Sequence, residues 1–112
     1  MSFKKKNNPE PIAIFAGRGI LPQILIEDCQ KRQRKFLLFL LESEIYEYDY
    51  SPLNPIKLPY SAIELFLEIV KKNQIKNVVF VGGVTKPNFS QLKKVGKKGA
   101  ILLAKILANK IL

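Results

Sequence analysis

The sequence predicts a three-layer α/β domain built on a parallel sheet of at least three strands. Three observations carry that expectation. Apolar runs of strand length, at 12–16, 36–41 and 77–81, alternate with segments of helical period. Such alternation builds right-handed βαβ units with helices on both faces of a parallel sheet. Two of the three runs end directly in glycine, at Gly17 and at Gly82-Gly83. The 112 residues, 47% hydrophobic and 25% charged, suffice for one domain with a real core and are too few for two.

Residues 1–10, rich in Lys, Asn and Pro, read as a flexible basic arm ahead of a domain over 11–112. Ile12-Ala-Ile-Phe-Ala16 reads as a buried strand. Leu21 to Arg32 reads as a helix, with Pro22 in its first turn and Lys31, Arg32, Arg34 and Lys35 at its basic end. Its expected face is Leu21, Ile24, Leu25, Asp28, Cys29 and Arg32. Phe36 to Leu41 is six apolar residues in a row, the signature of a strand covered on both sides. Residues 42–60, with Tyr46, Tyr48, Tyr50, Pro52, Pro55 and Pro59, form a long irregular connection. Ser61-Ala-Ile-Glu64 has capping-box spacing and opens a helix to about Asn73, with Phe66, Ile69 and Val70 inward. Asn77 to Val81 reads as the third buried strand. Gly99 to Leu112 reads as a last helix, so apolar that it expects cover on most sides: its own sheet, or a surface beyond it. A spatial order of 2-1-3 makes the domain Rossmann-like and brings the two glycine loops together.

Composition excludes a good deal of chemistry. The chain has no histidine and one cysteine, Cys29. Histidine triads, Cys-His pairs, thiolate zinc sites and internal disulfides are therefore out of reach, and a lone thiol suits the cytoplasm. No apolar run approaches the ~18 residues of a membrane span, and no apolar region follows the basic start as in a signal peptide. The net charge of +10 concentrates at the two ends, with Glu42, Glu44, Glu47 and Asp49 between them. Polyanions, phosphorylated ligands or an anionic membrane surface suit that balance, as do merely solubilising lysines. Nucleic acid is disfavoured, since no recognition motif is present and the aromatics fall in buried strands or the acidic loop. The four acids lack metal-ligand spacing and read as a solvated loop.

Chemistry is sought instead at the glycine loops. Gly17-Arg18-Gly19-Ile20-Leu21-Pro22 lies between a strand and a helix, where backbone N–H groups can meet a phosphate. It begins like a dinucleotide fingerprint, with Glu42 as the acid after the second strand, but Pro22 stands at the third glycine position. Gly82-Gly83-Val84-Thr85-Lys86 follows the third strand and adds a hydroxyl and a cation. Both loops would lie beyond the carboxyl ends of the strands, where open α/β sheets bind ligands. Two independent structural turns are the competing reading.

Ala16-Gly-Arg-Gly-Ile-Leu-Pro22 together with Val78-Val-Phe-Val-Gly-Gly-Val-Thr-Lys-Pro87 resembles the amino-terminal domain of the LpxI-type UDP-2,3-diacylglucosamine pyrophosphatases. The spacing of the two motifs and Ser90-x-Leu92 are similar as well, and the resemblance covers about 12–112. It implies a Rossmann-like half that binds UDP-diacylglucosamine or lipid X, with Gly17, Arg18, Gly19, Ile20, Leu21, Gly82, Gly83, Val84, Thr85 and Lys86 lining the ligand. In that family Mg²⁺-dependent hydrolysis yields lipid X and UMP for lipid A synthesis in Gram-negative bacteria. The catalytic aspartate and metal ligands belong to a carboxy-terminal half with no counterpart in these residues, so the chain alone is expected to be inactive. The implied setting is cytoplasmic and peripheral to the inner membrane, with a separate catalytic half or a second copy as partner. A stand-alone nucleotide-binding module using Gly17, Gly19 and Glu42 is the alternative.

Overall fold

The computed structural model describes residues 9–83 and Ile101. The arm up to residue 8, Val84, Thr85, Lys86, Ser90-x-Leu92 and the helix expected from Gly99 lie outside the described residues, Ile101 apart.

Four strands form one sheet: β1 (Ile12–Ala16), β2 (Phe36–Leu41), β3 (Ile56–Leu58) and β4 (Asn77–Val81). All three pairings are parallel and the order is β3-β2-β1-β4. The three expected strands therefore take their expected order, and β3 is added at one edge. Strand β4, expected to be buried, forms the other edge and is exposed or half-buried along its length, because it pairs on one side only among the described strands. Helix α1 (Leu21–Lys31) links β1 to β2, and α2 (Glu64–Lys72) links β3 to β4. The chain moves from β1 outward to β2 on one side and returns to β4 on the other. Right-handed crossovers in opposite directions put the two helices on opposite faces of the sheet.

Period-two alternation divides the strands between two cores. Ala13, Phe15, Phe39 and Leu41 face α2 and pack with Ile63, Phe66 and Val70. Ile12, Ile14, Ala16, Leu38 and Leu40 face α1 and pack with Ile26 and Cys29. On the α2 side Phe66 presents its edge to Phe39 at 4.7 Å and to Phe15 at 5.1 Å between ring centroids. Edge-to-face pairs of this kind add about 1 kcal/mol each to the area they bury. The six-residue apolar run of β2 needed both covers, and has them.

Three expectations require correction. Residues 42–60 are not uniformly irregular, since they hold a 3-10 turn at Ser51–Leu53, the strand β3, and the start of a second 3-10 turn at Tyr60–Ala62. This segment carries the chain from β2 to the adjacent parallel β3 without a helix. It covers the α1 face with side chains instead: Tyr50 is buried there, with Tyr46, Tyr48 and Leu53 packed against the same cluster. Ser61 does not cap α2, because it lies inside the 3-10 turn and the α-helix opens at Glu64 with Ile63 as its N-cap. The buried face of α1 is also rotated from the expected one. Pro22, Ile26 and Cys29 are buried, whereas Leu21 and Ile24 are about half exposed, at 48% and 52%.

Candidate functional site

The site is set by how β1 ends. Gly17 and Arg18 run on past the sheet beside the chain leaving β4. The Gly17 N–H donates to the Val81 carbonyl at 2.7 Å. Arg18 and Gly83 then exchange both backbone hydrogen bonds, at 2.7 and 3.1 Å, as an isolated antiparallel bridge. Contact this close leaves no room for a side chain. A Cβ on Gly17 would lie against the Gly83 carbonyl oxygen and 2.9 Å from the Gly82 carbonyl carbon. Gly82 faces the same backbone with φ at +100°, in the left-handed region that favours glycine. The two loops are therefore one structure, joined above the central strand at the point where strand order reverses.

That junction changes the donor set expected of the first loop. The N–H groups of Gly17, Arg18 and Gly83 are already engaged in joining the loops. Gly19 and Ile20 follow, exposed, with no backbone partner for their N–H groups among the described residues. They lead into α1, whose N-cap, Ile20, supplies no side-chain hydrogen bond. The first N–H groups of any helix lack intrahelical partners. Leu21 and Gln23 offer such donors and Pro22, buried at the first turn, offers none. Pro22 thus replaces a donor without obstructing the helix, which packs on the sheet around it.

The Arg18 side chain crosses the mouth of the site. Its Nε donates to Glu44 Oε1 at 3.0 Å, and Nη2 reaches to the side of Gly83. The guanidinium consequently spans the chain ends after β2 and β4 while lying over β1. The two partners differ in exposure: the Arg18 side chain is 50% exposed and the Glu44 side chain 2%. The acid at this site is thus Glu44, not the expected Glu42. Glu42 is exposed and contributes its N–H to the Leu58 carbonyl at 2.9 Å. A tight turn after β2, closed by the Glu44 N–H on the Leu41 carbonyl at 3.2 Å, brings the chain back over the sheet end. No spacing rule in the sequence separates Glu44 from its three acidic neighbours.

Tyr46 fixes that turn. Its hydroxyl accepts from the Leu41 N–H at 2.9 Å and donates to the Ala16 carbonyl at 2.8 Å, tying the ends of β2 and β1 together. Burial, opposed by the Leu41 N–H and reinforced by the Glu44 charge, pushes the Tyr46 phenol up to about 12. Burial and Glu44 also raise Tyr60. Beyond Glu44 opens a cavity of about 580 Å³ bordered by Tyr46, Tyr48, Tyr50, Glu47, Asp49 and Lys57 among others. Glu44 thus stands between this cavity and the glycine loops.

The acids do not fit a magnesium site. Glu44 is paired with Arg18, an Asp49 oxygen accepts from the Ser51 N–H at 3.0 Å, and among the described residues no three acids gather as metal ligands. No helix among the described residues is long and apolar enough to cross a membrane.

Of the ten expected site residues, Gly17, Arg18, Gly19, Ile20, Leu21, Gly82 and Gly83 gather at this sheet end. Val84, Thr85 and Lys86 lie outside the described residues. Fold and site together define a small parallel α/β domain of the kind that holds ligands over glycine loops at a topological switch point. More particularly, residues 11–111 match the family model of the LpxI N-terminal domain, and the chain belongs to that family. No curated protein and no solved structure matches the chain.

Proposed function

We propose that this chain is the substrate-binding half of a UDP-2,3-diacylglucosamine pyrophosphatase, holding the nucleotide-linked lipid while groups outside the chain cleave it. Membership of the LpxI N-terminal domain family supports this reading. The observation that carries it is the joined glycine loops, with a half-exposed arginine over them at the switch point. A diphosphate would meet the Gly19–Leu21 end of the loop and the guanidinium, both suited to oxyanions. In this proposal Mg²⁺ acts with the catalytic half, because the described acids do not gather around a cation. The setting we propose is the cytoplasmic face of an anionic membrane, with cleavage supplied by the catalytic half that the resemblance implies.

Calorimetric titration of the chain with UDP, lipid X, NAD and inorganic phosphate tests the binding, and product analysis with UDP-2,3-diacylglucosamine and Mg²⁺ tests the division of labour. UDP and lipid X should bind and turnover should be absent. Preference for NAD would favour a stand-alone dinucleotide module, and robust turnover would place the cleaving groups within this chain.

A further inference from the structure

Glu44 poses a physical question that the ligand site alone does not answer. A carboxylate with a 2% exposed side chain sits at the mouth of a site read as anion-binding, where its own charge opposes an anion. Burying it is costly unless it is paired, and Arg18 is among its partners. The contact is made through Nε at 3.0 Å, on one edge of the guanidinium plane. The remaining edge, formed by the two Nη groups, is left for a ligand, with Nη2 already alongside Gly83. A free arginine would have to be ordered from many rotamers before it could offer that edge. Here the backbone bridge to Gly83 fixes the Arg18 main chain and the Glu44 contact fixes the far end of its side chain.

We infer that Glu44 is a positioning residue for ligand phosphate, holding the Arg18 guanidinium by Nε so that its two Nη groups form a fixed fork over the joined glycine loops. Arg18 then recognises two oxygens of one phosphoryl group, and Glu44 touches no ligand atom on the phosphate side. The proposal rests on the phosphate-binding reading of this sheet end, though not on the uridine or the lipid.

The charge argument makes the test decisive. If Glu44 acted on the ligand only by its field, Glu44→Gln would strengthen anion binding. If it acts through Arg18, the same change weakens binding, by about three- to tenfold, the ordering cost of one long side chain. Titrate UDP, uridine and inorganic pyrophosphate against wild type, Arg18→Ala, Arg18→Lys, Glu44→Gln and the Arg18→Ala/Glu44→Gln double variant, with thermal melting of each. Arg18→Ala should lower affinity for UDP and pyrophosphate at least about tenfold, the range of a charge-assisted hydrogen bond, and leave uridine unchanged. Arg18→Lys should not restore it, because an ammonium cannot hold Glu44 and fork a phosphate at once. In the Arg18→Ala background Glu44→Gln should no longer weaken binding, and relief of its charge should if anything strengthen it. The double variant removes both charges together, so its melting point guards against an unfolded single variant. Glu44→Gln that binds UDP and pyrophosphate as well as or better than wild type, or that weakens them equally without Arg18, overturns the inference while leaving the function standing. Pyrophosphate bound in an Arg18- and Glu44-dependent way with no preference for UDP would uphold the inference and sink the uridine-nucleotide reading. A wild type that binds neither phosphate compound overturns both.

Discussion

Gly17 and Gly19 look alike in the sequence and do different things in the structure. Gly17 is buried, and a methyl group there would meet the Gly83 carbonyl oxygen and the backbone around Gly82. Gly17→Ala must therefore push the two loops apart and break the Arg18–Gly83 bridge. Denaturant unfolding should show a loss of about 3 kcal/mol, the upper range for overpacked sites. Gly19 has nothing within 4 Å of a Cβ, and only its φ of +99° resists substitution. Gly19→Ala should cost about 1 kcal/mol in the same measurement. Tyr46 offers a second residue-scale test. Its phenol titrates near 10 when unfolded and about 12 when folded, so the native state keeps its proton longer. The stability this adds is full below pH 10 and is lost as the pH rises from there towards 12. Tyr46→Phe should flatten part of that alkaline slope, the rest coming from Tyr50 and Tyr60, whose phenols are also raised. At neutral pH it should cost about 2 kcal/mol, because the Leu41 N–H and Ala16 carbonyl lose their partner.

At the scale of elements, α1 shows how much a face depends on what lies beneath it. The sequence offers Leu21, Ile24 and Leu25 with Cys29 at helical spacing, yet Leu21 and Ile24 are left about half exposed. The helix buries Pro22 and Ile26 together with Cys29, and packs Leu25 against the same cluster, which holds Ile14, Leu38 and Leu40 of the sheet. Ile26→Ala should then cost about 2–4 kcal/mol and Ile24→Ala less than about 0.5, read as shifts in denaturant midpoint. Equal costs would restore the expected face. The helix ends do not follow the local cap rules either, since neither N-cap supplies a side-chain bond. Gln33 and Gln74, at φ of 57° each, take the left-handed turn that ends α1 and α2. The connection from β2 to β3 follows no periodicity, since it is packed by tyrosine rings rather than by a helix.

For the molecule as a whole, the sheet is the organising body and its two faces are unequal. The α2 side is closed by a cluster of Phe15, Phe39, Phe66 and Phe80. The α1 side is completed in part by the tyrosine segment. Phe39 is fully buried at the centre of the first cluster, on the strand flanked by β1 and β3. Phe39→Ala should remove about 3–5 kcal/mol of stability and with it cooperative thermal unfolding. A sharp transition near the wild-type midpoint would show that the cluster is not the main core.

How much of this was legible in the sequence follows from the range of the interactions concerned. The three apolar runs, the two glycine loops and the parallel order could be read because burial on both faces and βαβ handedness are written in local pattern. The strand β3 was hidden: three residues, Ile56–Leu58, between prolines carry too little pattern to be seen. Their pairing comes from lying beside β2 once the sheet exists. The same holds at the site. The sequence by itself determined that Gly17, Arg18, Gly19, Gly82 and Gly83 stand at strand ends. Only the tertiary structure decided that Arg18 and Gly83 bond to each other and Gly17 to Val81, so that three backbone N–H groups of the loops serve the fold instead. It also decided that Glu44, and not Glu42, reaches Arg18. One turn after β2 selects between acids two residues apart, and that turn is held by a tyrosine reaching to a neighbouring strand. Contacts between segments distant in the chain leave no period to read, and here they choose which residues meet at the sheet end.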